Sequence, residues 1–395
     1  MNLPNTPHAR GRAALALCLL LLFTARSSAR QAPLPPEKVK EVEALVATEM
    51  SKQGIPGLTV AVASGGQVRW SAGFGVQDVE NNVPARTSTV YRLGSISKPI
   101  TATAVMQLYE RGRLDLDAPV QKYCPAFPAK QWPVTSRQLL GHLAGVRHYK
   151  SDEEFNSTRF YASVAEGLSM FKDDPLLFEP GTKYSYTTHG YSVLGCVVEG
   201  ASGQKFADFV AENVLKPAAM DRARVDSVSD IIPGRAQGYR LTDKGVLVNS
   251  PLADNSYKVP GGGFVSTAED LARFAVALQT YKLLKRETLE LMFTPQKLKD
   301  GQQDERPDDA LDERPLHRHR DALPQDRVPE QSPHRADRRR EPERRGSRMV
   351  VEHETAPRVG SVLAHGVSLR HRGRRRRVPS AGWIANAGRA SIAPS

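Results

Sequence analysis

Apolar residues at Val39, Val42, Leu45, Val46 and Met50 recur at helical spacing and predict an amphipathic helix over Lys38–Lys52, stopped by Gly54-Ile-Pro-Gly57. Two strand-like runs follow, Leu58–Ala63 and Gln67–Ala72, flanking Ser64-Gly65-Gly66, which is a hairpin signal. After a turn-rich passage, Ile100, Ala104, Leu108 and Tyr109 mark the apolar face of a buried helix that ends near Arg111-Gly112. A helix with a threonine cap and a glycine stop is predicted within Thr135–Gly145, and another over Ser192–Glu199. Gly261-Gly-Gly263 leads into a helix capped by Ser266 or Thr267, with Glu269 and Asp270 in its first turn.

The 395 residues suffice for one large or two ordinary domains with a sizeable core. The first 29 residues read as a secretory signal peptide. His8, Arg10 and Arg12 precede the apolar run Ala13–Phe23, and Ser27-Ser28-Ala29 suits a cleavage site. The alternative is an uncleaved anchor, the one way in which a membrane would enter. Residues 30–37 include Gln31-Ala-Pro-Leu-Pro-Pro36, a stiff solvated linker. The expected location is secreted or periplasmic. Of three cysteines, Cys18 would leave with the signal, so at most one disulfide is possible, and Cys196 reads as a buried thiol in an apolar helix. No cysteine–histidine spacing suggests zinc, and no cofactor is expected.

Candidate chemistry begins at Ser95 and Lys98. Residues three apart share a helix face, so the lysine amine can reach the serine hydroxyl. A hydroxyl needs such a neighbour to take its proton before it can act as a nucleophile. His142 reads as a helix histidine with a satisfied ring, and His148 lies in a loop. Tyr184, Tyr186 and Tyr191 follow a Pro-Gly turn and either display a phenol in a cleft or pack as a cluster. The glycine run lacks P-loop spacing and suits a close backbone approach in a cleft wall.

Together, Gly94-Ser-Ile-Ser-Lys98, Leu139-Leu-Gly-His-Leu-Ala-Gly145, Tyr186-Thr-Thr188 and Gly261-Gly-Gly-Phe264 resemble the motifs of the serine β-lactamase and penicillin-binding-protein superfamily, on its class C side. The resemblance covers roughly residues 58–296. Ala144–Tyr149, Phe171–Pro175 and Asp254–Lys258 are similar to the branch that holds the mitochondrial serine β-lactamase-like protein and its bacterial relatives. The resemblance implies an α+β fold, with an antiparallel sheet flanked by helices plus an all-α region. It implies Ser95 as nucleophile with Lys98 and Tyr186 sharing acid–base work, and Thr188 and Gly262 as substrate-binding residues. Thr188 stands where the family has asparagine, which favours an ester or peptide over a β-lactam.

The family's third motif, Lys/His-Thr/Ser-Gly, is not found; Ala364-His-Gly366 lacks the hydroxyl residue. Composition breaks near Asp300: no lysine follows Lys299, and Trp383 is the sole aromatic after Phe293. The hydrolase domain is therefore read as 38–299, incomplete at its C-terminal strands, and 300–395 as an Arg/Pro-rich tail. That tail is either a disordered basic segment or the product of a shifted reading frame, and a break inside the expected domain favours the shift. Resequencing the region encoding Gln296–Asp304 decides between them. Losing the last strands would leave the hairpin with an unpaired edge and the chain poorly stable and weakly active. Of the formal charge of +12, the tail 300–395 carries +5, from 20 arginines against 15 carboxylates, and no nucleic-acid partner is expected. The reading is a serine hydrolase acting through an acyl-enzyme on a small-molecule or peptide amide or ester. The alternative is a non-catalytic binding or assembly protein on the same scaffold.

Overall fold

The structure is a computed structural model that describes residues 33–301. The segment read as a signal peptide, Ala364-His-Gly366 and the residues beyond Gly301 lie outside the described residues. Residues 33–294 belong to one unit; the described part of a second, 295–301, closes one turn from the Gly301 N–H to the Leu298 carbonyl.

Helix α1 (Pro36–Gln53) starts on a proline at its first position and ends at Gly54 in the left-handed conformation. Val42 and Val46 pack with Ile55, Leu58 and Val60 of the strand that follows. Leu45, predicted on the buried face, is 43% exposed, so the apolar stripe is narrower than its spacing suggested. Strands β1 (Gly57–Ser64) and β2 (Gln67–Asp78) pair antiparallel through a two-residue loop. Gly65 and Gly66 both have positive φ (58° and 77°), which fits a twisted hairpin. Strand β3 (Val83–Pro84) completes a sheet of order β1-β2-β3, with β1 at its edge among the described residues. A second antiparallel sheet places β4 (Tyr91–Arg92) and β5 (Arg224–Val225) either side of β8 (Phe264–Ser266), while β6 (Tyr239–Leu241) and β7 (Leu247–Asn249) form a separate hairpin.

Helix α2 (Ser97–Glu110) is buried nearly all round, with Ile100, Ala104, Val105 and Leu108 fully enclosed; Tyr109 turns outward. Short helices α3 (Ser136–Leu140), α4 (Asp152–Phe155) and α5 (Val164–Gly167) precede α6 (His189–Ser202). Helix α3 carries a Thr135–Gln138 capping box but stops at Gly141, short of Gly145. There His142 adopts a left-handed φ of 62°. Helix α6 begins one turn earlier than its apolar spacing predicted. After α7 (Phe206–Val210) come α8 (Val259–Gly262), α9 (Ala268–Gln279) and α10 (Arg286–Phe293). Thr267 caps α9 by accepting from the Asp270 N–H, and α9 packs on β1 and β2 with Ser71 donating to Glu269 at 2.5 Å.

Cys196 is not a free thiol. It forms a disulfide with Cys124, 72 residues earlier. The bond ties α6 to the loop before Phe127, within the core shared by α2 and α6. Neither cysteine's neighbours signal the pairing; it is created by tertiary packing. The fold is α+β, with antiparallel sheets and helices packed on them.

Candidate active site

The pairing of β4 with β8 fixes the geometry of the site. Tyr91 lies opposite Ser266 and Arg92 opposite Val265, and the Leu93 N–H donates to the Phe264 carbonyl at 2.8 Å. The chain then makes a tight 3-10 turn, Gly94–Ile96, before α2 begins at Ser97. Ser95 is therefore exposed at a helix entrance, where the helix dipole favours negative charge. Lys98, in the first turn, points inward and is only 5% exposed.

Lys98 Nζ donates to three oxygens from three parts of the chain. They are Ser95 Oγ at 3.1 Å, Thr188 Oγ1 at 3.2 Å and the Gly261 carbonyl at 2.8 Å. Its amine also stands 4.7 Å from the Tyr186 ring centroid and 5.6 Å from that of Tyr191. Burial, and secondarily the charge of Lys258, bring its pKa down to about 7. Tyr186 Oη donates to Ser95 Oγ at 2.6 Å. Its ring is 38% exposed, and partial burial raises its pKa, opposed by the bond to Ser95.

Tyr186 and Thr188 are placed by the left-handed turn at His142. The His142 carbonyl accepts from the Ser185 N–H at 2.9 Å, and its Nδ1 accepts from the Thr187 N–H at 3.2 Å. The Thr187 hydroxyl donates to the Arg147 carbonyl at 2.6 Å, and His148 Nδ1 accepts from the Thr188 N–H at 3.3 Å. Both imidazoles thus act as backbone acceptors. Burial first, then the charges of Lys98, Lys258 and Arg147, push His148 down to about 4, leaving it uncharged at neutral pH.

Ser95, Lys98 and Tyr186 are thus in mutual contact. Thr188 joins them, buried, with its hydroxyl taken by Lys98 and not offered to the surface. Gly262 sits beside Gly94, where an added Cβ would meet nothing closer than 3.9 Å. The close backbone approach falls one residue earlier, at Gly261. Sequence reasoning gave no role to Lys258, a second buried amine whose Nζ donates to the Phe155 carbonyl at 2.9 Å. Its signal is visible only in three dimensions, where aromatic rings surround it. A depression of about 530 Å³ bounded by Asp152, Asn156, Arg159, Pro251 and Leu252 lies elsewhere, and none of Ser95, Lys98 or Tyr186 lines it.

Among the described residues no group of histidine, cysteine and carboxylates could hold a metal, and no helix is long and apolar enough to cross a membrane.

Residues 42–317 match the family model described as beta-lactamase. The human serine beta-lactamase-like protein LACTB, mitochondrial, is 34% identical, over 61% of this chain and 59% of its own length. Penicillin-binding protein 4* of Bacillus subtilis (strain 168) is 30% identical, over 67% of this chain and 61% of its own. The octameric penicillin-binding protein homologue from Pyrococcus abyssi superposes with a TM-score of 0.56 at 28% identity, covering 65% of this chain and 60% of that one. The chain spans about 60% of the length of the curated relatives it matches. A family model covering most of the chain, over a fold that brings a serine, a lysine and a tyrosine into contact, establishes that the chain belongs to the beta-lactamase family.

Proposed function

We propose that the chain is a serine hydrolase of acyl-transfer type, with Ser95 as nucleophile and Lys98 and Tyr186 as its proton-transfer partners. One observation carries the reading: an exposed serine hydroxyl meets a buried amine at 3.1 Å and a phenol at 2.6 Å. With Lys98 brought to about 7, a substantial fraction of the amine is neutral at physiological pH. As the bond from Ser95 Oγ to the substrate carbonyl carbon forms, the hydroxyl proton passes to the Lys98 lone pair. The bond from the carbonyl carbon to the leaving group then breaks as Tyr186 gives that group a proton, Lys98 passes the serine proton on to the Tyr186 oxygen, and water cleaves the acyl-enzyme.

Thr188 supplies no side-chain amide, and its hydroxyl already serves Lys98, which supports a small ester or peptide over a β-lactam. Absence of the third motif from the sequence supports slow turnover. Location outside the cytoplasm, secreted or periplasmic, rests on the N-terminal apolar run alone, and the human relative's name assigns that protein to mitochondria.

The test is labelling of the full chain with a fluorophosphonate probe and with a penicillin probe, locating the adduct by peptide mass spectrometry. An adduct on Ser95, lost in Ser95→Ala, is the expected result. A cooperatively folded sample with no adduct overturns the reading in favour of a binding protein on this scaffold.

A further inference from the structure

Lys258 is as deeply buried as Lys98, at 5% exposure. Its Nζ donates to the Phe155 carbonyl and stands 4.1 Å from the Phe155 ring centroid, 4.9 Å from that of Tyr257 and 5.4 Å from that of Tyr149. Three aromatic rings and a carbonyl form a socket suited to an ammonium. The charged neighbours of Lys258 are Arg92, which opposes its charge, and Asp226, which favours it; Asp226 is itself held by Arg92, Arg235 and Asn255.

Socket and candidate site share their walls. Three residues after Lys258, the Gly261 carbonyl accepts from Lys98. Tyr149, part of the socket, follows His148, whose ring holds the Thr188 backbone beside Lys98. One short stretch, 258–261, therefore carries a caged amine and the carbonyl that aims a second amine at Ser95. Two like charges buried on one such stretch each disfavour the other's charged form. In other enzymes the same arrangement is a known way to keep a lysine uncharged.

We propose that Lys258 is a positioning residue whose caged ammonium, by like-charge repulsion, holds Lys98 in the neutral form that can take the Ser95 proton. The inference rests on the acyl-transfer reading of Ser95 and Lys98. Burial brings both amines to about 7, with the charge of Lys258 the second cause at Lys98. In this proposal the ring-lined socket around Lys258 keeps its proton while Lys98 gives its own up. The remaining groups around the pair are the rings of Tyr186 and Tyr191 over Lys98, His148 and Tyr149 in the shared wall, Tyr257 in the socket, and Arg147, Glu154 and His189 acting on that wall. His148 and His189 are uncharged at neutral pH, so neutralising Lys258 removes a single charge from the cluster.

The experiment measures the second-order rate of Ser95 labelling by a fluorophosphonate from pH 5 to 9, in the wild type, Lys258→Met and Lys258→Arg, each first shown to melt cooperatively. In Lys258→Met the midpoint of the rate rise is expected to move up by on the order of one pH unit, while Lys258→Arg tracks the wild type. If Lys258→Met does not fold, Lys258→Gln keeps a donor for the Phe155 carbonyl and gives the same neutral comparison. A midpoint unchanged in the neutral variant overturns the inference and makes Lys258 a structural brace alone. An unlabelled wild type instead overturns the hydrolase reading, and this inference with it.

Discussion

The side chain of Thr188 lies against the bare α-carbon of Gly261: a Cβ built there would meet Thr188 Cγ2 at 2.6 Å and the Thr188 carbonyl oxygen at 2.9 Å. Backbone and side chain are thereby locked together on the far side of Lys98, whose amine bonds to both residues. Gly261→Ala has nowhere to put its methyl group without moving one of them. Overpacking of this kind costs about 1–3 kcal/mol. We expect a urea midpoint lowered accordingly and Ser95 labelling slowed at least about tenfold as the carbonyl leaves Lys98. Gly262→Ala, with only ordinary contacts to meet, should change stability far less.

Tyr186→Phe removes the bond to Ser95 Oγ and leaves the ring tilted against that of His142 with centroids 4.5 Å apart. Loss of a positioned proton donor slows catalysis by about 10²–10⁴. Hydrolysis of a p-nitrophenyl ester, compared with thermal melting, separates this from a folding defect: the rate should fall and the melting temperature should hold.

Acidity should cost the fold stability throughout the range from pH 9 to pH 5. Burial lowers Lys98 and Lys258 from 10.5 to about 7, and His148 and His189 from 6.5 to about 4 and about 3. The unfolded chain therefore binds more protons than the folded one, between about 7 and 10.5 for the lysines and between the folded values and 6.5 for the histidines. Each contribution is fully present above the unfolded pKa and is lost as pH falls through the folded one. The unfolding free energy should rise by on the order of a few kcal/mol from pH 7 to 9, and further from pH 5 to 7. Chemical denaturation at fixed ionic strength reads this directly, and a flat profile would contradict the burial of these groups.

Reducing the Cys124–Cys196 bond, which closes a separation of 72 residues, should cost about 2–4 kcal/mol. Helix α6 would remain docked, because Gly200 also packs against the Tyr123 backbone, where a Cβ would fall 1.7 Å from the carbonyl oxygen. Melting should occur at lower temperature in reductant, while Ser95 labelling at 20 °C or so persists. Loss of labelling without loss of fold would instead show that the bond holds Tyr186 and Thr188 in place.

Local rules made several of these features legible. A two-glycine break between apolar runs specifies the β1–β2 hairpin, the Thr135 and Thr267 caps mark helix starts, and the three-residue spacing of Ser95 and Lys98 foretells their contact, which the structure makes across a 3-10 turn at the entrance to α2. What stayed hidden depends on contacts distant in sequence. The disulfide joins a loop to a helix that reads as an ordinary apolar segment. The left-handed turn at His142, which is bonded to the 185–188 segment distant in sequence, cuts α3 short of the glycine that spacing suggested. Leu45 and Tyr109 keep helical spacing but are left exposed, outside the buried stripes of their helices. Lys258 looks like a surface lysine until Phe155 and Tyr149, more than 100 residues earlier, close around it.

The three oxygens that hold Lys98 come from residues up to 163 positions away from it in the chain. In an unfolded or half-assembled chain that amine is an ordinary lysine, almost wholly protonated at neutral pH and unable to accept a proton from serine. On the proposed reading, reactivity at Ser95 would emerge only when α2, the start of α6 and the glycine segment have all docked. A nascent or misfolded copy would then be silent toward a fluorophosphonate, so probe labelling would count correctly assembled molecules and not merely those present.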